Sequence, residues 1–135
     1  MEYRYIGNTG MKVSSLSFGA SSLGGVFHSI KEEEAIDAVY TAVDNGINFI
    51  DVSPYYGHLK AEIVLGKALK NIDRNKYYLS TKVGRYGKDG VNCWDYSAKK
   101  SVGSVQESMD RLHVDYIDLI NIHDIEFSDL EMVCK

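Results

Sequence analysis

Asp51, Lys82 and His123 each stand at or just beyond the end of an apolar run, about one strand–helix unit apart along the chain, and Tyr56 follows Asp51 across Ser53-Pro54-Tyr55. Taken singly, these residues have ordinary structural roles. Asp51 suits a solvated turn or a helix cap, Tyr56 is one of ten tyrosines, and a histidine after a strand is more often a packed or surface residue. Lys82 is different. An ammonium set into a buried strand costs several kcal/mol unless it is paired, and Asp51 on the neighbouring strand is the partner at hand. Tyrosine with lysine and aspartate suggests proton transfer. A free phenol titrates near ~10 and is a poor acid at neutral pH. An adjacent ammonium favours its phenolate, and a carboxylate holds that ammonium in place. Such a phenol could protonate a developing alkoxide, while a neutral histidine beside it orients a substrate carbonyl. The set contains no reductant, so a hydride-donating cofactor must complete it. No serine or cysteine arrangement suggests a nucleophile, and His28, His58, His113 and His123 lack metal-ligand spacing, so no metal is expected.

Residues at strand ends do chemistry together only if the strands are parallel. Tyr3 and Tyr5, the turn Asn8-Thr9-Gly10 and Lys12-Val13-Ser14 predict an N-terminal β-hairpin. Leu16-Ser17-Phe18 follows as a short strand running into a flexible loop, Gly19 to Gly25. Ser29 and Glu32 fit a capping box. The helix behind them buries Ala35, Ile36, Val39, Ala42 and Val43 and stops at Gly46. Ile47 to Val52 is then a strand and Glu62 to Lys70 a helix burying Val64, Leu65, Ala68 and Leu69. Tyr77 to Val83 is a strand, and Gly84 to Tyr96 a long loop. A helix capped by Ser97 turns Val102, Val105, Met109 and Leu112 inward. Tyr116 to Ile122 is a strand, and a last helix begins near Ser128.

Strand–helix alternation of this period implies an α/β fold with a parallel sheet. Gly19 to Gly25 fits neither glycine fingerprint of a doubly wound sheet. The reading favoured is a partial (β/α)8 TIM barrel, its first four βα units preceded by the hairpin. In such a barrel the strand ends, and so the four polar residues, share one face. The chain of 135 residues is read as one unit, 1–135. With 44% hydrophobic residues, a formal net charge of −4, no basic block and no long apolar run, it offers nothing for nucleic acid or a membrane. Cys93 and Cys134 are far apart, and free thiols in a reducing cytoplasm are expected.

The same residues sit in recognisable motifs. Gly10-Met11-Lys12-Val13-Ser14 leads to Phe18-Gly19, and Gly46-Ile47-Asn48-Phe49-Ile50-Asp51 precedes Ser53-Pro54-Tyr55-Tyr56-Gly57. Leu65-Gly66-Lys67-Ala68-Leu69, Ser80-Thr81-Lys82 and Asp115-Tyr116-Ile117-Asp118 follow. In this order they resemble the aldo-keto reductase family. Lys82-Val83-Gly84-Arg85-Tyr86 and His123-Asp124-Ile125-Glu126-Phe127 look most like its L-galactose dehydrogenase-like branch. The resemblance implies NADP(H) or NAD(H) as cofactor and a small carbonyl, alcohol or sugar-like substrate. It places a catalytic tetrad on Asp51, Tyr56, Lys82 and His123, and the nicotinamide near Gly19, Ala20, Ser21 and Asp51. One departure is Ala61, where the family commonly has serine. Phe27, Tyr55 and Trp94 are candidates for the substrate pocket. The larger departure is length: a full barrel takes ~250 residues, and its usual phosphate loops follow the seventh and eighth strands. Cofactor binding by this chain alone is therefore expected to be weak or absent. An alternative reading is a truncated, catalytically silent half-barrel that acts through other chains. Its open edges, around Leu16-Ser17-Phe18 and Tyr116 to Ile122, would invite self-association.

Overall fold

A computed structural model describes residues 1–88 and 91–134; Asp89 and Gly90, inside the expected 84–96 loop, lie outside the described residues. The N-terminal hairpin pairs β1 (Tyr3–Tyr5) with β2 (Lys12–Ser14). A four-stranded parallel sheet follows. It is built from β3 (Phe18–Gly19), β4 (Phe49–Asp51), β5 (Tyr78–Val83) and β8 (Leu119–Ile122), in that order. The crossovers are α1 (Glu32–Asp44) between β3 and β4, α2 (Lys60–Leu69) between β4 and β5, and α3 (Ala98–Leu112) between β5 and β8. A short hairpin, β6 (Arg85–Lys88) with β7 (Val91–Trp94), springs from the end of β5, and α4 (Leu130–Val133) closes the described chain. The order β3-β4-β5-β8 leaves β3 and β8 as the two edges.

Alternation along the strands decides what each face does. Ile50, Leu79 and Thr81 point to the helix side. There Ile50 and Leu79 join Val39, Val64, Leu65, Ala68 and Leu112 in the core. Asp51, Ser80, Lys82 and Asn121 share the opposite face, with Phe49, Tyr78 and Leu119 between them. The apolar surface at the open edge therefore lies on the helix side of β8, where Ile120 and Ile122 are exposed. The register continues beyond the assigned strands: His123 N–H donates to Val83 O at 2.8 Å, so the ladder runs as far as His123.

Several local expectations change. Ser29 does not cap α1; Lys31 holds that position without a side-chain bond, and Glu32, Glu33 and Glu34 in the first turn favour the helix start through the dipole. The Gly19–Gly25 loop is a tight 3₁₀ turn over Ala20–Gly24 with Ala20 and Leu23 buried. The expected 84–96 loop holds the β6–β7 hairpin. Ser97 caps α3 as expected, its side chain accepting from the Lys100 N–H, but Val102 is 74% exposed. The buried stripe of α3 is Ser104, Ser108 and Leu112, and its C-terminal end lies tight against α2. A Cβ on Gly66 would lie 2.1 Å from Arg111 O. Between these helices a fully buried Glu62 accepts from Arg111 Nε at 2.7 Å and from the Thr81 hydroxyl at 2.7 Å.

At the other end of the sheet, Asn48 joins the first hairpin to β4. Its Oδ1 accepts from Ser14 N–H at 2.7 Å, its own N–H donates to Ser14 Oγ, and its Nδ2 donates to Lys12 O. The hairpin thus covers the N-terminal end of the strands and leaves the C-terminal end free.

Candidate functional site

Gly19 pairs with Asp51, Asp51 with Ser80, and Lys82 with Asn121, so the parallel register collects these residues at the C-terminal end of the sheet. Lys82 lies two residues beyond Ser80 on the same face and therefore reaches back across the strand gap. Its Nζ donates to Asp51 Oδ2 at 2.5 Å and to Val52 O at 3.0 Å. Asp51 Oδ1 accepts from Ser80 Oγ at 3.0 Å, and Ser80 Oγ in turn accepts from Asn121 Nδ2. Two strands other than its own thus fix the carboxylate that holds the lysine.

Tyr56 is placed by backbone packing. Gly57, His58 and Leu59 all have positive φ, turning the chain sharply between β4 and α2. Gly57 lies against the 3₁₀ turn so closely that a Cβ there would be 2.2 Å from Gly24 O. Only glycine fits both the conformation and the contact. The half-buried Tyr56 ring then lies with Lys82 Nζ 5.0 Å from its centroid and with His123 edge-on, 5.7 Å between ring centres. Among the described residues no group hydrogen-bonds the Tyr56 hydroxyl, which leaves it available to an incoming oxygen.

His123 is 8% exposed. Its Nδ1 lies 3.1 Å from the fully buried Ser53 Oγ, which already accepts the Tyr55 N–H at 3.1 Å. The serine proton is then free for Nδ1, an arrangement that suits an imidazole protonated on Nε2. Burial pushes the His123 pKa below its ordinary value. The Asp124 carboxylate opposes that, and the charges of Lys82 and Arg85 reinforce it. The ring is therefore a neutral hydrogen-bond donor at neutral pH.

All four expected catalytic residues meet here. Of the expected cofactor residues, Gly19 is exposed beside Asp51, and a Cβ there would meet nothing within 4 Å. Ser21 is half-buried, while the Ala20 side chain is sealed in the core and can offer only backbone. Of the pocket candidates, Tyr55 and Trp94 stand together, each facing the Arg85 guanidinium at 3.8 and 4.7 Å from ring centroid to Cζ. Phe27 is 73% exposed and makes no ring contact among the described residues. Among the described residues no group of three or more His, Cys, Asp or Glu could hold a metal ion, and no helix is long and apolar enough to cross a membrane.

Sequence reasoning missed Ser53, Ser80, Asn121 and Arg85 as parts of this site. Ser53, Ser80 and Arg85 stand inside the motifs quoted above, but nothing in their spacing gives their partners. Asn121 carried a signal only in being polar within an apolar strand.

Comparison with known proteins gives a family match over most of the chain. Residues 15–133 match the Aldo/keto reductase family. The chain is 47% identical to the L-galactose dehydrogenase of Arabidopsis thaliana over 135 residues, covering 98% of this chain and 41% of that protein. It is 39% identical to the D-arabinose 1-dehydrogenase of Saccharomyces cerevisiae over 120 residues, covering 85% of this chain and 34% of the relative. An aldo-keto reductase from Bacillus halodurans, solved in its holo form, superposes with a TM-score of 0.83 at 32% identity, over 98% of this chain and 44% of that one. The chain spans less than half the length of these relatives.

Proposed function

The chain belongs to the aldo/keto reductase family, and from that premise we propose that it carries the proton-transfer half of an NAD(P)-dependent oxidoreductase that interconverts a carbonyl and an alcohol on a small, sugar-like substrate. The observation that carries this reading is the Lys82 ammonium held between the Asp51 carboxylate and the face of Tyr56, with a neutral His123 edge-on to the same ring.

Tyr56 gives its phenolic proton to the substrate oxygen in reduction and takes it back in oxidation. Lys82 stabilises the phenolate left behind, and Asp51 keeps that charge close to the ring. His123 Nε2–H donates to the same substrate oxygen and fixes the carbonyl against Tyr56. Gly19, Ser21 and the Ala20 backbone beside Asp51 would carry the nicotinamide, which when bound supplies or accepts the hydride. Tyr55 and Trp94, stacked about Arg85, would form an aromatic wall suited to the apolar face of a sugar. The sugar-dehydrogenase names among the relatives support that substrate class.

The test is Tyr56→Phe in a barrel completed with the C-terminal half of a family member. Turnover falls by at least ~10²-fold, the lower end of what a positioned general acid contributes, while NADPH binding is retained. Near-native turnover in that variant refutes the role of Tyr56. A second reading, a catalytically silent half-barrel, is supported by the uncovered β8 edge with Ile120 and Ile122 exposed. Titrating the 135-residue chain with NADPH separates the two: micromolar binding, seen as enhanced nicotinamide fluorescence, rules out the silent form.

A further inference from the structure

Arg85 takes no part in the proton transfer, yet it bonds two residues that flank His123, Tyr55 and Asp124. It lies at the root of the β6–β7 hairpin, half-buried between the Tyr55 and Trp94 rings. Its Nη2 donates to Tyr55 Oη at 2.9 Å, and its Nη1 donates to Asp124 Oδ2 in an ion pair. That same carboxylate oxygen is 3.5 Å from His123 Nε2, the nitrogen that must face the substrate. Asp124 is held there by a left-handed backbone conformation, φ +52°, and by Tyr96, whose hydroxyl donates to His123 O at 2.8 Å. One carboxylate oxygen is thus shared between a guanidinium and the working histidine.

We propose that Arg85 is a positioning residue: by engaging Asp124 and Tyr55 it prevents Asp124 from capturing His123 as an imidazolium ion pair, and so preserves the neutral Nε2–H donor. The proposal rests on His123 being the substrate-orienting group, but its mechanism is electrostatic and can be read without substrate. The charged groups facing His123 come from each element around it. Asp124 lies on the turn after β8, Lys82 on β5, Asp51 on β4 and Arg85 on β6. The Tyr55 and Tyr56 rings and the Ser53 hydroxyl complete the enclosure. Of the two acids, Asp51 is already bound to Lys82 and Ser80. Asp124 is the one whose allegiance can change, and Arg85 decides it.

Removing the guanidinium leaves the Asp124 carboxylate with His123 Nε2 as its nearest cation-forming neighbour, and protonation of the ring becomes easier. The experiment follows the ring-nitrogen NMR signals of His123 with pH in the 135-residue chain and in three variants. In Arg85→Gln the titration midpoint of His123 moves up. In Arg85→Lys, which keeps a cation for Asp124 but loses the fork to Tyr55, it stays near the native value. In the double variant Arg85→Gln/Asp124→Asn it returns toward native, since both the restraint and the charge it restrains are gone. A purely structural role for Arg85 would disturb the hairpin in all three variants and leave the midpoint alone. An unmoved or lowered midpoint in Arg85→Gln overturns the proposal. If Arg85→Gln does not fold, Asp124→Asn carries the test: its midpoint must fall, and an unchanged midpoint is equally fatal. In the completed barrel the acid limb of kcat/KM shifts upward in Arg85→Gln and not in Arg85→Lys. Failure of Tyr56→Phe to abolish turnover would refute the catalytic reading and leave these NMR results standing.

Discussion

Replacing Arg111 with methionine strands the Glu62 carboxylate in the fully buried contact between α2 and α3. Glu62 is fully buried, its side chain 0% exposed, and its two oxygens have one neutral donor, the Thr81 hydroxyl at 2.7 Å, and one charged donor, Arg111 Nε at 2.7 Å. Arg111 also donates from Nη2 to Ser108 Oγ at 3.1 Å, so the guanidinium is committed to the α2–α3 contact and not to solvent. Removing one partner of a buried pair costs ~3–5 kcal/mol, because the remaining charge loses its compensation. Set against the ~5–15 kcal/mol that holds a typical domain, that is a large share of the whole. At about 4 °C per kcal/mol for a chain of this size, the melting temperature falls by ~12–20 °C. Glu62→Gln added to Arg111→Met removes the stranded charge and keeps an acceptor for Thr81, at the cost of an unpaired amide NH2, about 1–3 kcal/mol. The double variant is therefore more stable than Arg111→Met alone. Urea unfolding followed by far-UV circular dichroism measures all four corners of the cycle. A loss under about 1 kcal/mol in Arg111→Met, or a double variant no better than the single, would show that water relieves the carboxylate and that the pair does not staple α2 to α3. The consequence reaches the site, because Thr81 and Lys82 are adjacent and face opposite sides of β5: the bond that holds Thr81 toward α2 also sets the side from which Lys82 meets Asp51.

Gly57→Ala should cost ~2–4 kcal/mol, from a left-handed φ of 59° together with a backbone collision against Gly24. Gly103→Ala, in open space on α3, should gain up to about 1 kcal/mol; comparable urea midpoints for the two would refute the packing that places Tyr56. For His123, burial lowers the folded-state pKa below the unfolded value of about 6.5. The unfolded chain then binds the extra proton first, so stability is unaffected well above pH 6.5 and declines as pH falls through and below it. Unfolding free energies at pH 8 and pH 5 check this against a His123→Gln reference, which lacks the decline if His123 is its source. At the β8 edge, the native chain should show a mass that rises with concentration in light scattering after size exclusion, and Ile122→Lys should reduce it; a sharp, concentration-independent monomer for the native chain would show that the edge is closed.

Periodicity and turn chemistry determined the order of the elements. The hairpin at the N-terminus, the glycine stop at Gly46, the Ser97 cap and the strands through Asp51, Lys82 and Ile122 all follow from local preference, which acts over a few residues and needs no partner. Those elements were enough to place Asp51, Tyr56, Lys82 and His123 on one face, because parallel strands joined by helices end at the same side. What the sequence could not show was contact across elements. Val102 has a helical spacing that fits a buried stripe, but in the fold Ser104, Ser108 and Leu112 are the buried face of α3 and Val102 lies exposed. Arg85 lies nearly forty residues before Asp124, and only the folded sheet makes it share that carboxylate with His123. The residues able to transfer a proton were written in the chain; which charge each would feel was decided by packing, since Coulomb interactions depend on distance through space and not along the sequence.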